Sequence, residues 1–320
     1  MGLTSIMLHV ASRLPEPLYS WAIAVTNWWK LMRCPERKVE PAGNLHPDRT
    51  FYVIEALTRG TGVASWYDRA LGYMLRAERM GWEPVVADTA DEFGQRWEMY
   101  FGNPSRVPLD EVRRSRNVIY AHPSLTVTYR RLNGRNIDKR HRLATAIPLA
   151  AEAETFVKSR METLFGGAVQ PMVGAYLRGT DYRATKDWRP VGHFIVPGAA
   201  QFAERLEADC RKWGIEVADG AHFFFVTEEQ ESLDFLIARY PKARYVQKER
   251  FSNFKHGVCL SMQSLRNTSR EANNMLYLLD LYALARCDYL VGPMNSGMQM
   301  ALNLNGNVYR DVDIIDLGTH

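Results

Sequence analysis

From residue 51 the chain alternates short apolar runs with amphipathic stretches of helical period. FYVIEAL is a continuous apolar strand, RGTG a turn, SWYDRALGYMLRAERMG a helix closed by Gly81, and PVVAD a second strand. A strand, a helix and a strand in this order predict a parallel sheet. Residues 91–145 are less regular: FGNPSRVP reads as a loop, NVIYA as a short strand and RRLNGRNIDKRHR as a solvated, turn-rich stretch. AIPLAAEAETFVKSRMETLFGG is then a helix, and the closing pair Gly166 and Gly167 marks a domain boundary.

The second half repeats the alternation more clearly. MVGAYL is a buried strand, AAQFAERLEADCRKWG a helix with Phe202, Leu206, Cys210 and Trp213 on one face, and HFFFVT a strand. SLDFLIARY places Leu233, Leu236, Ile237 and Tyr240 at helical spacing, and ARYV is a strand. NNMLYLLDLYALARC is apolar nearly all round, which predicts a buried helix, and DYLVGP is again a strand. This is the rhythm of a doubly wound sheet. Two such halves predict a two-domain α/β protein with a cleft between them: an N-terminal extension at 1–50, a first domain at 51–166 and a second at 167–320.

A length of 320 residues agrees, at roughly 100–200 residues per domain. The formal net charge of +4 is mild and compatible with a small anionic ligand; no lysine-rich tail or arginine run marks a nucleic-acid partner. Cys34, Cys210, Cys259 and Cys287 stand far apart with no CxxC pair, so neither a zinc knuckle nor a disulfide framework is indicated. A reducing, cytoplasmic compartment is the simpler reading. The N-terminal stretch is broken by Arg13, Pro15 and Pro17, never approaches the roughly 20 apolar residues of a membrane span, and lacks signal-peptide features. SWAIAVTNWWKLMR reads as a short amphipathic helix with Trp21, Trp28 and Trp29 as anchors. Docking on the protein itself is favoured over peripheral membrane contact by residues 18–33, by roughly two to one, because buried tryptophan is common. Gly2 does not read as a myristoylation site, since Ile6 stands where the motif wants Ser or Thr.

In open parallel sheets ligands bind beyond the carboxyl ends of the strands, which singles out four places. Arg59-Gly60-Thr61-Gly62 follows the first strand and opens a helix, although two glycines are a weaker signal than a dinucleotide fingerprint, and a plain tight turn is about as good a reading. Arg178 follows MVGAYL directly. A guanidinium there can grip phosphate oxygens in a fork, with Asp181 to orient it, or the two can form an ordinary surface pair; the stretch alone leaves these level. Thr227 and Glu228 end HFFFVT, where capping of the next helix is favoured and ligand contact is secondary. Asp280 stands in an almost wholly apolar helix and needs a partner: a nearby backbone or tyrosine group, or the N–H groups of a purine. Beyond DYLVG, Ser296 stands at an N-cap position where backbone N–H groups face an anion.

Taken together these residues resemble the fucosyltransferases that use GDP-fucose: the α1,6-fucosyltransferases, including the rhizobial nodulation enzyme, and more distantly the protein O-fucosyltransferases. The family motif His-x-Arg-Arg-x-Asp reads here as Tyr176-Leu177-Arg178-Gly179-Thr180-Asp181, keeping the first Arg and the Asp. FFFVTEEQESLDFLIARYP is similar to the second motif and LLDLYALARCDYLVGPMNSG to the third; RGTGVASWYDRALGYMLRAERMG and RWEMYF resemble the glycine-rich loop with its helix and the Trp-x-x-Phe-Phe segment. The resemblance spans roughly residues 50 to 310 in order. It implies a GT-B-like fold of two Rossmann-like domains facing a cleft, the donor lying mainly on the second, and an inverting, metal-independent transfer of fucose to a glycan or glycoconjugate hydroxyl. It further implies that Arg178 holds the β-phosphate, Asp280 the guanine, and Ser296 and Gly297 the diphosphate. Gly60 and Gly62 would approach the donor from the first domain, and Tyr176, Asp181 and Thr227 would line its site. Asp187 would be the base, preferred over Glu228 and Asp181. A different nucleotide sugar and a non-catalytic nucleotide-sugar-binding protein are the rival expectations. A nucleotide-dependent oxidoreductase is disfavoured, since only Asp88 stands where a ribose-binding acid is needed and no three-glycine loop precedes it.

Overall fold

A computed structural model describes residues 16–58, 61–91, 93–125, 127, 134–180, 195–252, 268–306 and 308–318. The chain divides into two compact units, Met1–Glu152 and Ala153–His320.

In the first unit, helix α1 (Glu16–Arg33) precedes strands β1 (Arg37–Val39) and β2 (Leu45–Ile54). Then come α2 (Val63–Met80), β3 (Glu83–Val86), α3 (Leu109–Arg113), β4 (Ser115–Tyr120) and α4 (Gly134–Thr145). The sheet order is β1-β4-β2-β3, with β2 parallel to both neighbours and β1 antiparallel to β4. Phe51–Ile54 form the buried half of β2, and Phe51 and Val53 pack with Val85, Val112 and Val118. Each such side chain contributes about 1.5–3 kcal/mol by leaving water. Helix α2 ends as its sequence predicts: Gly81 adopts φ 69° and its N–H reaches back to Ala77 and Glu78. Gly72, inside the helix, lies so close to the carbonyl of Val127 that a Cβ would overlap it.

The stretch expected to be solvated and turn-rich is instead largely helix α4, and Arg140 and His141 within it are buried. The reason is Asp68 on α2. Its buried carboxylate accepts from the Arg140 guanidinium, while Tyr67 Oη donates to the Ala144 carbonyl at 3.0 Å. A charged residue that finds a buried partner packs like a core residue, and its polarity in the sequence hides the element.

Helix α5 (Ala151–Phe165), whose first two residues belong to the first unit, ends at the Gly166-Gly167 pair, and the second unit continues with β5 (Val173–Leu177), α6 (Ala199–Trp213) and β6 (Phe223–Thr227). After these come α7 (Gln230–Arg239), β7 (Arg244–Tyr245), α8 (Arg270–Ala285), β8 (Tyr289–Pro293), α9 (Ser296–Asn305) and β9 (Asp311–Ile315). Although α5 precedes the glycine pair, its C-terminal end packs here. Phe165 lies 5.9 Å from Phe224, and Arg244 Nη1 donates to the Leu164 carbonyl at 2.7 Å. All five strands are parallel in the order β7-β6-β5-β8-β9, or 3-2-1-4-5 counted along this unit. The connection therefore reverses direction between β5 and β8. Strands β5 and β6 are buried throughout, as continuous apolar runs in a doubly covered sheet must be. Phe202, Leu206 and Cys210 of α6 sit in this core, and Trp213 stacks on Tyr289 with centroids 4.5 Å apart. No described helix is long and apolar enough to cross a membrane.

Candidate functional site

The carboxyl ends of β5 and β8 flank the point where the strand order reverses, the place at which an open parallel sheet leaves a crevice for a ligand. Both ends carry residues that the sequence singled out. Arg178, Gly179 and Thr180 follow β5; Asn295, Ser296 and Gly297 follow β8. Tyr176, near the end of β5, is buried and its hydroxyl lies 3.0 Å from that of Tyr277 on α8. Gly297 lies over this pair of hydroxyls, and a Cβ at position 297 would collide with both. Burial holds the Tyr277 hydroxyl far above its ordinary pKa; Tyr176 adds to the effect and the nearby positive charge of Arg178 opposes it. The strand ends, α8 and the start of α9 thus meet at one place, and Arg178 supplies a half-buried positive charge there.

The turn after β5 is fixed from the side by Glu229. Its carboxylate accepts from the backbone N–H of Thr180 and, at 2.6 Å, from Ser232 Oγ. Thr180 holds a left-handed φ of 53°. A Cβ at Gly179 would run into the Glu229 carboxyl group. The position where the resemblance expects a second arginine therefore has its space filled by an anion that ties down the loop backbone.

At the end of β6, Thr227 is fully buried and does not cap α7 as expected: the N-cap is Glu229, without a side-chain cap bond. The Thr227 hydroxyl accepts from the Glu229 N–H at 3.3 Å, and its carbonyl accepts from Arg250 Nε at 3.2 Å. Arg250 also donates to the carbonyls of Val246 at 2.8 Å and Lys248 at 3.1 Å, which shapes the chain beyond β7.

That shaping delivers Lys248, which sequence reasoning missed. Its Nζ lies 2.6 Å from Glu228 Oε1 and 2.6 Å from Asp280 Oδ2, and the three side chains are 1%, 5% and 0% exposed. The partner that Asp280 requires is thus a lysine 32 residues earlier in the chain, not a nearby backbone or tyrosine group. Two carboxylates share one cation in a dry setting. Burial pushes the Asp280 carboxyl up to about 6, Lys248 pulls against that, and Glu228 adds to it. Asp280 Oδ1 is buried and finds no hydrogen-bond partner among the described residues.

Ser296 is the first residue of α9 and not its cap; Asn295 is the cap. Asn295 Oδ1 accepts from Gly297 N at 2.9 Å and Met298 N at 3.1 Å, and its Nδ2 donates to the Pro293 carbonyl at 3.1 Å. The side chain takes up two donors of the first turn, so the N–H of Gly297 already has an acceptor.

In the first unit Gly62 is the N-cap of α2, and its carbonyl accepts from Ser65 and Trp66. Asp88 accepts from the N–H groups of Leu57 at 2.9 Å and Thr58 at 3.1 Å, so this acid anchors the loop backbone after β2. Gly60, Asp181 and Asp187 lie outside the described residues. Among the described residues no three His, Cys, Asp or Glu side chains converge as a metal site.

No protein-family profile matches the sequence, and no curated protein matches it. Solved structures do resemble the fold. An α-1,6-fucosyltransferase, NodZ, in crystals soaked with GDP-fucose is 14% identical; the match covers 80% of this chain and 93% of that one with a TM-score of 0.46. A mutant of FUT1 from Arabidopsis thaliana in complex with GDP is 11% identical, covering 94% of this chain and 75% of that one with a TM-score of 0.49. POFUT1 in complex with GDP is 9% identical, covering 84% and 99% with a TM-score of 0.49.

Proposed function

We propose that this chain is a glycosyltransferase whose second unit binds a nucleoside diphosphate sugar where its strand order reverses, and that it transfers fucose from GDP-fucose to a hydroxyl of a glycan or glycoconjugate. The observation that carries the reading is the junction of Arg178, directly after β5, with the amino end of α9, directly after β8, in a sheet of order 3-2-1-4-5. A guanidinium and a helix N-terminus there suit a diphosphate. The ordered motifs from residue 50 to 310 support the choice of donor.

In this reading Arg178 and the Ser296 N–H take the diphosphate, and Asp181 orients Arg178. Departure of GDP builds negative charge on the β-phosphate while the sugar becomes oxocarbenium-like, so fixed positive charge favours the transition state over the ground state. Asp280 Oδ1 accepts from the N–H groups of guanine while Oδ2 stays on Lys248. Asp187 accepts the proton of the attacking hydroxyl, the anomeric carbon inverts, and no metal takes part.

Arg178→Ala is expected to abolish the rise in melting temperature that GDP gives the unaltered chain, since one charge-assisted contact is worth about 1.5–3 kcal/mol. An unchanged rise with GDP sinks the assignment of Arg178. Glu229 favours a second reading, in which the donor is another nucleotide sugar, because its carboxylate occupies the space of the second arginine. Release of nucleoside diphosphate across a panel of sugar nucleotides separates the two: turnover with UDP- or ADP-sugars and none with GDP-fucose establishes the second.

A further inference from the structure

Helix α1 carries two apolar faces, and the first unit covers one of them. At 3.6 residues per turn Tyr19, Ile23, Thr26 and Lys30 fall within an arc of roughly 60°. Tyr19, Ile23 and Thr26 are buried, and Lys30 Nζ donates to the Ser124 carbonyl at 2.7 Å. Leu18, Trp21, Val25, Trp28, Trp29 and Met32 occupy a second arc of roughly 100°, centred roughly 140° from the first. On that face Leu18 is 51% exposed, Trp21 66%, Trp28 58%, Trp29 51% and Met32 66%. Other exposed large apolar side chains, such as Met80, Phe93 and Phe235, stand singly along the chain and need no explanation.

The charges beside this face are unbalanced. Arg33, Arg37 and Lys38 are exposed at the end of α1 and in β1, against Glu40 alone among the described residues there. Glu36, between them, is held by Arg76 and Tyr52. The Arg33 guanidinium lies over the Trp29 ring, 4.9 Å from its centroid, which presents a cation and an indole together. Indole has an apolar body and one polar N–H, a combination that favours the headgroup region of a bilayer, and neighbouring cations suit anionic lipid.

We propose that the exposed face of α1 seats the protein on an anionic lipid surface, with Trp21, Trp28 and Met32 entering the headgroup region and Arg33, Arg37 and Lys38 lying against lipid phosphates. The helix lies along the surface, since no described helix combines the length and hydropathy needed to cross. Nothing in this depends on the identity of the donor sugar.

The test is co-sedimentation of the full chain with vesicles of phosphatidylcholine containing phosphatidylglycerol, alongside phosphatidylcholine alone, with tryptophan emission recorded. Binding to the anionic vesicles, a blue-shifted emission and weakening with added salt are expected. The double variant Trp21→Ser, Trp28→Ser is expected to bind at least about tenfold more weakly. An unchanged circular dichroism spectrum and a cooperative melt show that this variant is folded. Absence of binding to anionic vesicles, or equal binding by the folded variant, overturns the proposal. So does a dimer in sedimentation velocity that the variant abolishes, which would assign the face to a second copy of the chain.

Discussion

Glu229 decides what the turn after β5 can hold. Its carboxylate serves the Thr180 N–H and the Ser232 hydroxyl and fills the space beside Gly179. Gly179→Ala is therefore expected to cost about 1–3 kcal/mol in urea unfolding, because the added methyl displaces a carboxylate that is already bonded. In a chain that also carries Glu229→Ala the three atoms nearest that methyl are gone, so its cost falls well below that of the single change. Strictly additive effects of the two changes would rule out the contact. A second consequence at this scale concerns pH. The folded chain holds the Asp280 proton up to about pH 6, against 3.8 for the free side chain. The folded state thus binds more protons than the unfolded state between these values, and stability falls as pH rises from about 4 to about 6. Asp280→Asn should flatten that fall in unfolding free energy measured across the window; an unaltered slope contradicts the shift. Asp280 was legible because a carboxylate in an apolar helix demands a partner. Lys248 was not, since no local pattern in YVQKERF says that this lysine turns inward.

At the scale of elements, the amino end of α9 shows how a cap reallocates donors. Asn295 binds Gly297 N and Met298 N, and Ser296 is left as the first helical residue. Asn295→Ala is expected to lower stability by about 1 kcal/mol in thermal unfolding, the usual loss for a cap of this type. Because it also frees two N–H groups at the proposed diphosphate position, GDP affinity should hold or rise; a fall in affinity measured by calorimetry would show that the cap orders the site. Sequence places the start of α9 within one residue, as Ser and Asn are both good caps and only geometry separates them. It misses α4 for a different reason. The helix is fixed by Asp68 and Tyr67 on α2, more than 70 positions away, and its own polarity argues for solvent.

At the scale of the whole molecule, what was legible is the alternation of continuous apolar runs with amphipathic stretches, because parallel strands covered on both faces cannot be polar. Strand β9 escaped for the complementary reason: Asp311-Val312-Asp313-Ile314-Ile315 lies at the sheet edge, and both acids are engaged with cations of α6. The order 3-2-1-4-5 then orders local stability. Strand β5 is paired on both sides and buried throughout, and its neighbours β6 and β8 share its core. Among the described residues, strand β7 has two residues and pairs with β6 alone, and β9 pairs with β8 alone. Opening an edge strand exposes little apolar surface, whereas opening β5 breaks two ladders and uncovers the core beneath α6 and α8. Native-state hydrogen exchange is therefore expected to be slowest at the amides of Val173–Leu177 and Phe223–Thr227 and fastest, among the strands of this unit, at Arg244–Tyr245 and Asp311–Ile315. If GDP is bound where β5 and β8 diverge, saturating GDP should slow the β5 and β8 amides further and leave β7 and β9 nearly unchanged. Uniform protection across all five strands would mean that the unit opens only as a whole, and protection confined to the edge strands would place the nucleotide elsewhere.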